Sequence, residues 1–122
     1  MVTDTHSSRR AELYGLLGDL PARDRPIGAE VISVEEREAY TLETLMLDLN
    51  GIEAVPAFFT RPRVAGPVPA ILYNHAHGSA YEIGKRELID GRPGILAPPY
   101  AEVFARQGWA ALCLDTWAFG ER

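Results

Sequence analysis

Cysteine is nearly absent from this chain: Cys113 is the only one in 122 residues. A lone cysteine cannot close an internal disulfide, and Cys113 lies in an apolar run, where it reads as a small buried hydrophobe. Basic residues are outnumbered: 12 Lys and Arg face 17 Asp and Glu, a net charge of −5. That balance argues against nucleic acid, whose phosphates need clustered Lys and Arg, and against an anionic membrane surface. Long hydrophobic runs are missing, and none approaches the ~20 residues of a membrane span. The polar stretch Met1–Arg10 has no apolar segment of the signal-peptide kind. A cytoplasmic protein without a nucleic-acid or membrane partner is the expectation.

What is present is the balance of an ordinary globular protein, with 47% hydrophobic and 24% charged residues. The length suits one domain or part of one. The informative stretch is Pro69-Ala70-Ile71-Leu72-Tyr73-Asn74-His75-Ala76-His77-Gly78-Ser79. It reads as a short apolar strand, buried on both faces, that runs into a polar loop. In open α/β sheets ligands bind just beyond the carboxyl ends of such strands. His75, His77, Gly78 and Ser79 therefore stand where chemistry is expected.

Before it, Met1–Ser7 reads as a loose tail. Ser8 can cap a helix running to about Leu20, with Leu13, Leu16, Leu17 and Leu20 as one apolar stripe that docks on its own domain. Pro21 stops the helix and a Pro/Arg-rich linker follows to Gly28. Residues 1–28 are thus read as tail, helix and linker, and 29–122 as the domain. Strands are expected over Glu30–Val34, Tyr40–Leu49 and Ile52–Thr60. Asn50-Gly51 signals a two-residue type I′ hairpin turn, which needs positive φ at both positions. Pro56, inside the second arm, implies a bulge or a position whose missing N–H faces away from the ladder.

After the loop, Gly84–Asp90 can hold a helical turn or two. Pro99 suits the start of a helix with Tyr100, Val103 and Phe104 on its apolar face, closed by Gly108. Trp109–Leu114 is a second apolar strand, ending at Asp115. Strand, helix and strand make a βαβ unit with a parallel pair. This order leaves the Trp109–Leu114 strand with a bare edge, a surface through which the chain could pair with a second copy.

Asn74-His75-Ala76-His77-Gly78, then Gly84-Lys85-x-Glu87-Leu88, then Trp117-x-Phe119-Gly120-Glu121-Arg122 together resemble the α/β-hydrolase superfamily, most closely its dienelactone-hydrolase and acetyl-xylan-esterase-like branch. The lead-in Leu13-Tyr14-x-Leu16-Leu17-Gly18-Asp19-Leu20-Pro21 is similar to bacterial members. The resemblance implies an α/β fold: the amino-terminal part of an α/β-hydrolase sheet, with an N-terminal helix, an antiparallel lead-in with a hairpin, then the parallel βαβ. It implies serine hydrolysis of a small-molecule carboxylic ester or related acyl bond, with no cofactor. It puts an oxyanion-hole N–H on Ser79, with Gly78 as second choice. Gly78 would let the backbone approach substrate without a Cβ. A tight glycine turn with no ligand is the plainer reading of the same residues.

The departure from that family is large. Its nucleophile sits in a G-x-S-x-G elbow, with the acid and histidine later in the chain. Here Ser7, Ser8, Ser33 and Ser79 are the only serines, and none has that pattern. The chain thus has no triad residues and reads as truncated before the elbow and inactive by itself. A non-catalytic remnant that pairs its edge is the reading in a different class. His75 and His77 are expected to brace the loop, and Asp115 to hold the turn after the last strand.

The same residues admit other chemistries. His75-x-His77 on one strand face could share a metal, with Glu82, Asp115 or Glu121 as third ligand, but no spacing singles one out. Gly78, Gly84 and Lys85 fail the P-loop pattern, since Arg86 stands where Ser or Thr must reach Mg²⁺. Lys85 and Arg86 read as exposed charges on a helical turn. Trp109 and Phe104 read as core. Trp117 and Phe119 belong either to a pocket wall or to packing under the loop.

Overall fold

The computed structural model describes residues 5–122. Of the expected tail, residues 1–4 lie outside the described residues, and Thr5 already opens a helix, α1 (Thr5–Leu16). Five strands follow: β1 (Gly28–Glu36), β2 (Tyr40–Asp48), β3 (Ala54–Pro62), β4 (Ala70–Tyr73) and β5 (Ala110–Leu114). A 3₁₀ turn (Gly84–Arg86) leads into α2 (Glu87–Asp90), and α3 (Tyr100–Arg106) joins the last two strands.

The sheet order is β1-β2-β3-β5-β4. β1, β2 and β3 form an antiparallel meander, β5 pairs antiparallel with β3, and β4 pairs parallel with β5. The parallel pair and its helical crossover follow from two apolar runs separated by an amphipathic stretch. The expected bare edge does not. β5 is interior, held by β3 on one side and β4 on the other, so residues 110–114 offer no free edge. The open edges are β1 and β4.

Register sorts the side chains onto two faces, because they alternate along each strand. Tyr40, Leu42, Phe58, Ala111 and Cys113 face Leu88, Ile89 and Ala101 from the helices and form one buried cluster. Leu45, Leu47, Val55 and Ala57 lie on the opposite face beside the half-buried Phe59, Leu112 and Leu114. No described helix covers that face, which carries an open apolar groove of about 630 Å³. The expectation of a β4 buried on both faces therefore fails on this side, where Leu72 is 61% exposed.

Two local expectations also change. The β2–β3 hairpin forms, but Asn50 does not take positive φ as a type I′ turn requires. Gly51 does, at +72°. The Asn50 carboxamide instead accepts the N–H groups of Ile52 and Glu53, and the Asp48 carboxylate accepts that of Gly51. These side-chain bonds hold a wider loop. The expected stripe does not dock: Leu13 and Leu16, and Leu17 and Leu20 beyond the helix end at Leu16, are all exposed. Pro56 causes no bulge. The β2–β3 register is unbroken, and Pro56 precedes the residues of β3 that pair with β5.

Candidate functional site: the loop at the end of strand β4

β4 delivers the chain at Tyr73 into the loop 74–83. Gly78 and Ser79 have φ of +48° and +57°, and the Ala80 N–H returns to the His77 carbonyl at 3.4 Å. Two consecutive residues at positive φ closed by such a bond are the mark of a type I′ turn. A serine in that region is uncommon, and sparsely populated backbone conformations gather at functional loops.

The loop is clamped from below by α2 and the segment after it. The Glu87 side chain is buried, as the β4 side of α2 demands. Its Oε1 accepts the Tyr73 hydroxyl at 2.6 Å and the Ala76 N–H at 3.0 Å, and its Oε2 accepts Arg92 Nη1 at 2.9 Å. Burial by itself would raise the Glu87 carboxyl, but the Tyr73, Ala76 and Arg92 donors outweigh it and hold the group below its ordinary range. The Tyr73 phenol moves the other way, pushed up by burial and by the adjoining Glu87 carboxylate. Arg92 also donates to the carbonyls of Ala76 (3.1 Å) and Gly78 (3.3 Å).

The reason for a glycine at 78 differs from the expected one. A Cβ there would lie 2.2 Å from Arg92 Nη2. The space that glycine leaves open is filled by a guanidinium rather than kept for substrate.

The histidines divide. His75 is buried, and its Nε2 receives the N–H of Thr116 at 3.2 Å, tying the loop to the end of β5. His77 is exposed. Its Nδ1 accepts the Ser79 N–H at 3.3 Å and its Nε2 meets the Tyr81 hydroxyl at 3.2 Å. Both rings pack on Phe119, with centroids 4.9 and 5.3 Å away, and Tyr81 stacks on the same ring. Phe119 is thus packed under the loop, whereas Trp117 is exposed beneath the Arg122 guanidinium. Among the described residues no group of three or more His, Cys, Asp and Glu is arranged to hold a metal.

Asp115 organises the far side. Its carboxylate accepts the backbone N–H groups of Lys85 (2.7 Å) and Glu121 (3.0 Å) and the Lys85 ammonium (2.8 Å). Lys85 is therefore buried, not an exposed charge on a turn. Glu121 also pairs with its ammonium. Arg86 does remain exposed and pairs with Asp90. Sequence reasoning missed Glu87, Arg92 and Lys85 because charged residues near turns ordinarily face water. The one available signal was Glu87 amid Leu88 and Ile89, a charge inside an apolar turn.

The sheet order, with the loop at the carboxyl end of β4, gives the fold: it is that of the amino-terminal part of an α/β-hydrolase sheet. A solved structure described as a putative acetyl xylan esterase, from Bacteroides fragilis NCTC 9343, superimposes with a TM-score of 0.65 at 23% identity, over 94% of this chain and 30% of that one. In sequence, the chain is 46% identical over 117 residues to "Putative hydrolase YtaP" of Bacillus subtilis (strain 168). That alignment takes in 95% of this chain and 39% of the relative, so the chain spans well under half the length of the curated protein it matches. No protein-family model matches it. No described helix is long and apolar enough to cross a membrane.

Proposed function

We propose that this chain forms the oxyanion-loop portion of a serine hydrolase that cleaves small carboxylic esters or related acyl bonds. The observation that carries the reading is the tight left-handed turn at Gly78 and Ser79, set at the carboxyl end of a strand whose outer edge is open. A further parallel strand pairing with β4 would bring a nucleophile elbow beside this turn. The serine Oγ would then attack the ester carbonyl, and the negative charge that develops on the carbonyl oxygen would be met by the Ser79 N–H. One such donor is typically worth about 2.7–4 kcal/mol of barrier. His77 holds that N–H at 3.3 Å in the resting loop and, being exposed, can swing away as substrate enters. The similarity to "Putative hydrolase YtaP" of Bacillus subtilis supports the same reading.

The 122 residues contain no G-x-S-x-G. On this reading the nucleophile, acid and base are supplied by chain outside them, and no cofactor takes part. The test is to express the complete open reading frame that contains these residues beside the 122-residue polypeptide. Hydrolysis of p-nitrophenyl acetate and fluorophosphonate labelling of one serine are expected in the first and neither in the second. A frame that stops at Arg122, or a complete product without either property, would leave a non-catalytic domain and overturn the proposal.

A further inference from the structure

We infer that the buried Glu87–Arg92 ion pair is the positioning device of this loop, and that it fixes the direction in which the Ser79 N–H points. The inference rests on the hydrolase reading for its catalytic consequence, but its geometry stands apart from that reading.

The argument begins with the peptide unit. In a trans peptide the C=O and N–H point in opposite directions, and the unit is planar. The Gly78 carbonyl and the Ser79 N–H belong to one such unit. Arg92 Nη2 donates to that carbonyl at 3.3 Å from below the loop. The Ser79 N–H is therefore turned to the opposite side, where it meets His77 Nδ1. The same guanidinium holds the Ala76 carbonyl through Nη1 at 3.1 Å, which turns the His77 N–H outward by the same rule. A planar fork that grips both carbonyls sets two peptide planes at once, which a flexible ammonium would do poorly.

Glu87 keeps the fork in place. The Arg92 and Glu87 side chains are only 8% and 2% exposed, and their ion pair is 2.9 Å long. The other Glu87 oxygen takes the Ala76 N–H at 3.0 Å and the Tyr73 hydroxyl at 2.6 Å, so the pair is anchored to both the loop and β4. Glycine at 78 completes the device, since any Cβ would displace the guanidinium. Burying an ion pair is costly unless its remaining donors and acceptors are satisfied. Here they are satisfied largely by the backbone of the candidate oxyanion loop.

Arg92→Lys and Glu87→Gln separate positioning from mere support. In the active complete protein, Arg92→Lys should lower kcat by about tenfold to a hundredfold, with KM changed by less than about threefold. An interaction made only with the oxyanion is lost from the transition state and not from substrate binding. Glu87→Gln should act in the same direction, and the double variant should be no worse than the more impaired single one. In the 122-residue chain, the amide resonances of His77 and Ser79 should shift in Arg92→Lys, and Ser79 should exchange faster with solvent, while β3 and β5 stay unchanged. Unchanged loop resonances in both variants would overturn the inference. So would a loss of activity that only tracks a loss of thermal stability. If the complete protein proves not to be a hydrolase, the function falls, and the amide measurement still decides the brace.

Discussion

Lys85 Nζ lies 2.8 Å from Asp115 Oδ2, and both side chains are almost wholly removed from water, at 3% and 0% exposure. The pair joins the turn before α2 to the end of β5, residues 30 apart in the chain. Removing one partner leaves the other as an uncompensated buried charge. Lys85→Met should therefore destabilise the protein by about 3–5 kcal/mol. Replacing both, as Lys85→Met with Asp115→Leu, leaves no orphan carboxylate, although the N–H groups of Lys85 and Glu121 lose their acceptor. Urea denaturation of the two variants should place the double mutant at or above the single one.

Gly84 and Gly120 flank the same carboxylate. A Cβ on either would lie 2.1 or 2.3 Å from Asp115 Oδ1, and both residues have positive φ, +50° and +58°. Gly84→Ala and Gly120→Ala should each cost at least about 1–3 kcal/mol from backbone strain, before any displacement of Asp115. Gly66→Ala is the control. It has positive φ, +84°, with nothing near its Cβ, so it should be the mildest of the three in thermal melts.

Acid should loosen the loop through Glu87. Its folded carboxyl is held below the ordinary value, so its contribution is complete above that value and is lost as pH falls through the folded one. The melting temperature should fall as pH is lowered below about 4.5, the ordinary value for this group. Glu87→Gln should be less stable at neutral pH and show a flatter acid limb. An identical acid limb in both proteins would assign the loss to other carboxylates.

Cys113 should be inert in the folded chain. It is buried, and burial together with the nearby Asp115 carboxylate pushes its thiol up to about 12. The thiolate is the reactive form, and it is scarce at neutral pH. A disulfide reagent should label Cys113 only at the rate of unfolding, and fast labelling of the native protein would contradict the packing of β5.

α1 buries none of its described residues. Deleting residues 1–20 should change the unfolding free energy, read by urea denaturation, by no more than the roughly 0.5 kcal/mol typical of surface changes. A larger loss would mean that the leucine stripe does find a surface in solution.

How far the sequence reached can be seen in two strands. Ala70–Tyr73 and Ala110–Leu114 were legible as strands, and as a parallel pair, because an apolar run and an intervening amphipathic helix are local patterns. The loop after Tyr73 was legible as the place for chemistry for the same reason. The hairpin between β2 and β3 was legible, but not its loop, because Asp48 and Asn50 bind backbone N–H groups in a way that Asn-Gly does not announce.

The sequence by itself determined the elements, their order, the α/β class and the absence of an elbow serine within these residues. The tertiary structure decided which strand lies inside the sheet, since β5 inserts between β3 and β4 and moves the free edge to β4. It also decided that Lys85, Glu87 and Arg92 turn inward. The physical reason is common to both. Strand neighbours and buried charge partners are set by contacts between residues far apart in the chain, and a charge reads as solvated until the group that compensates it is known.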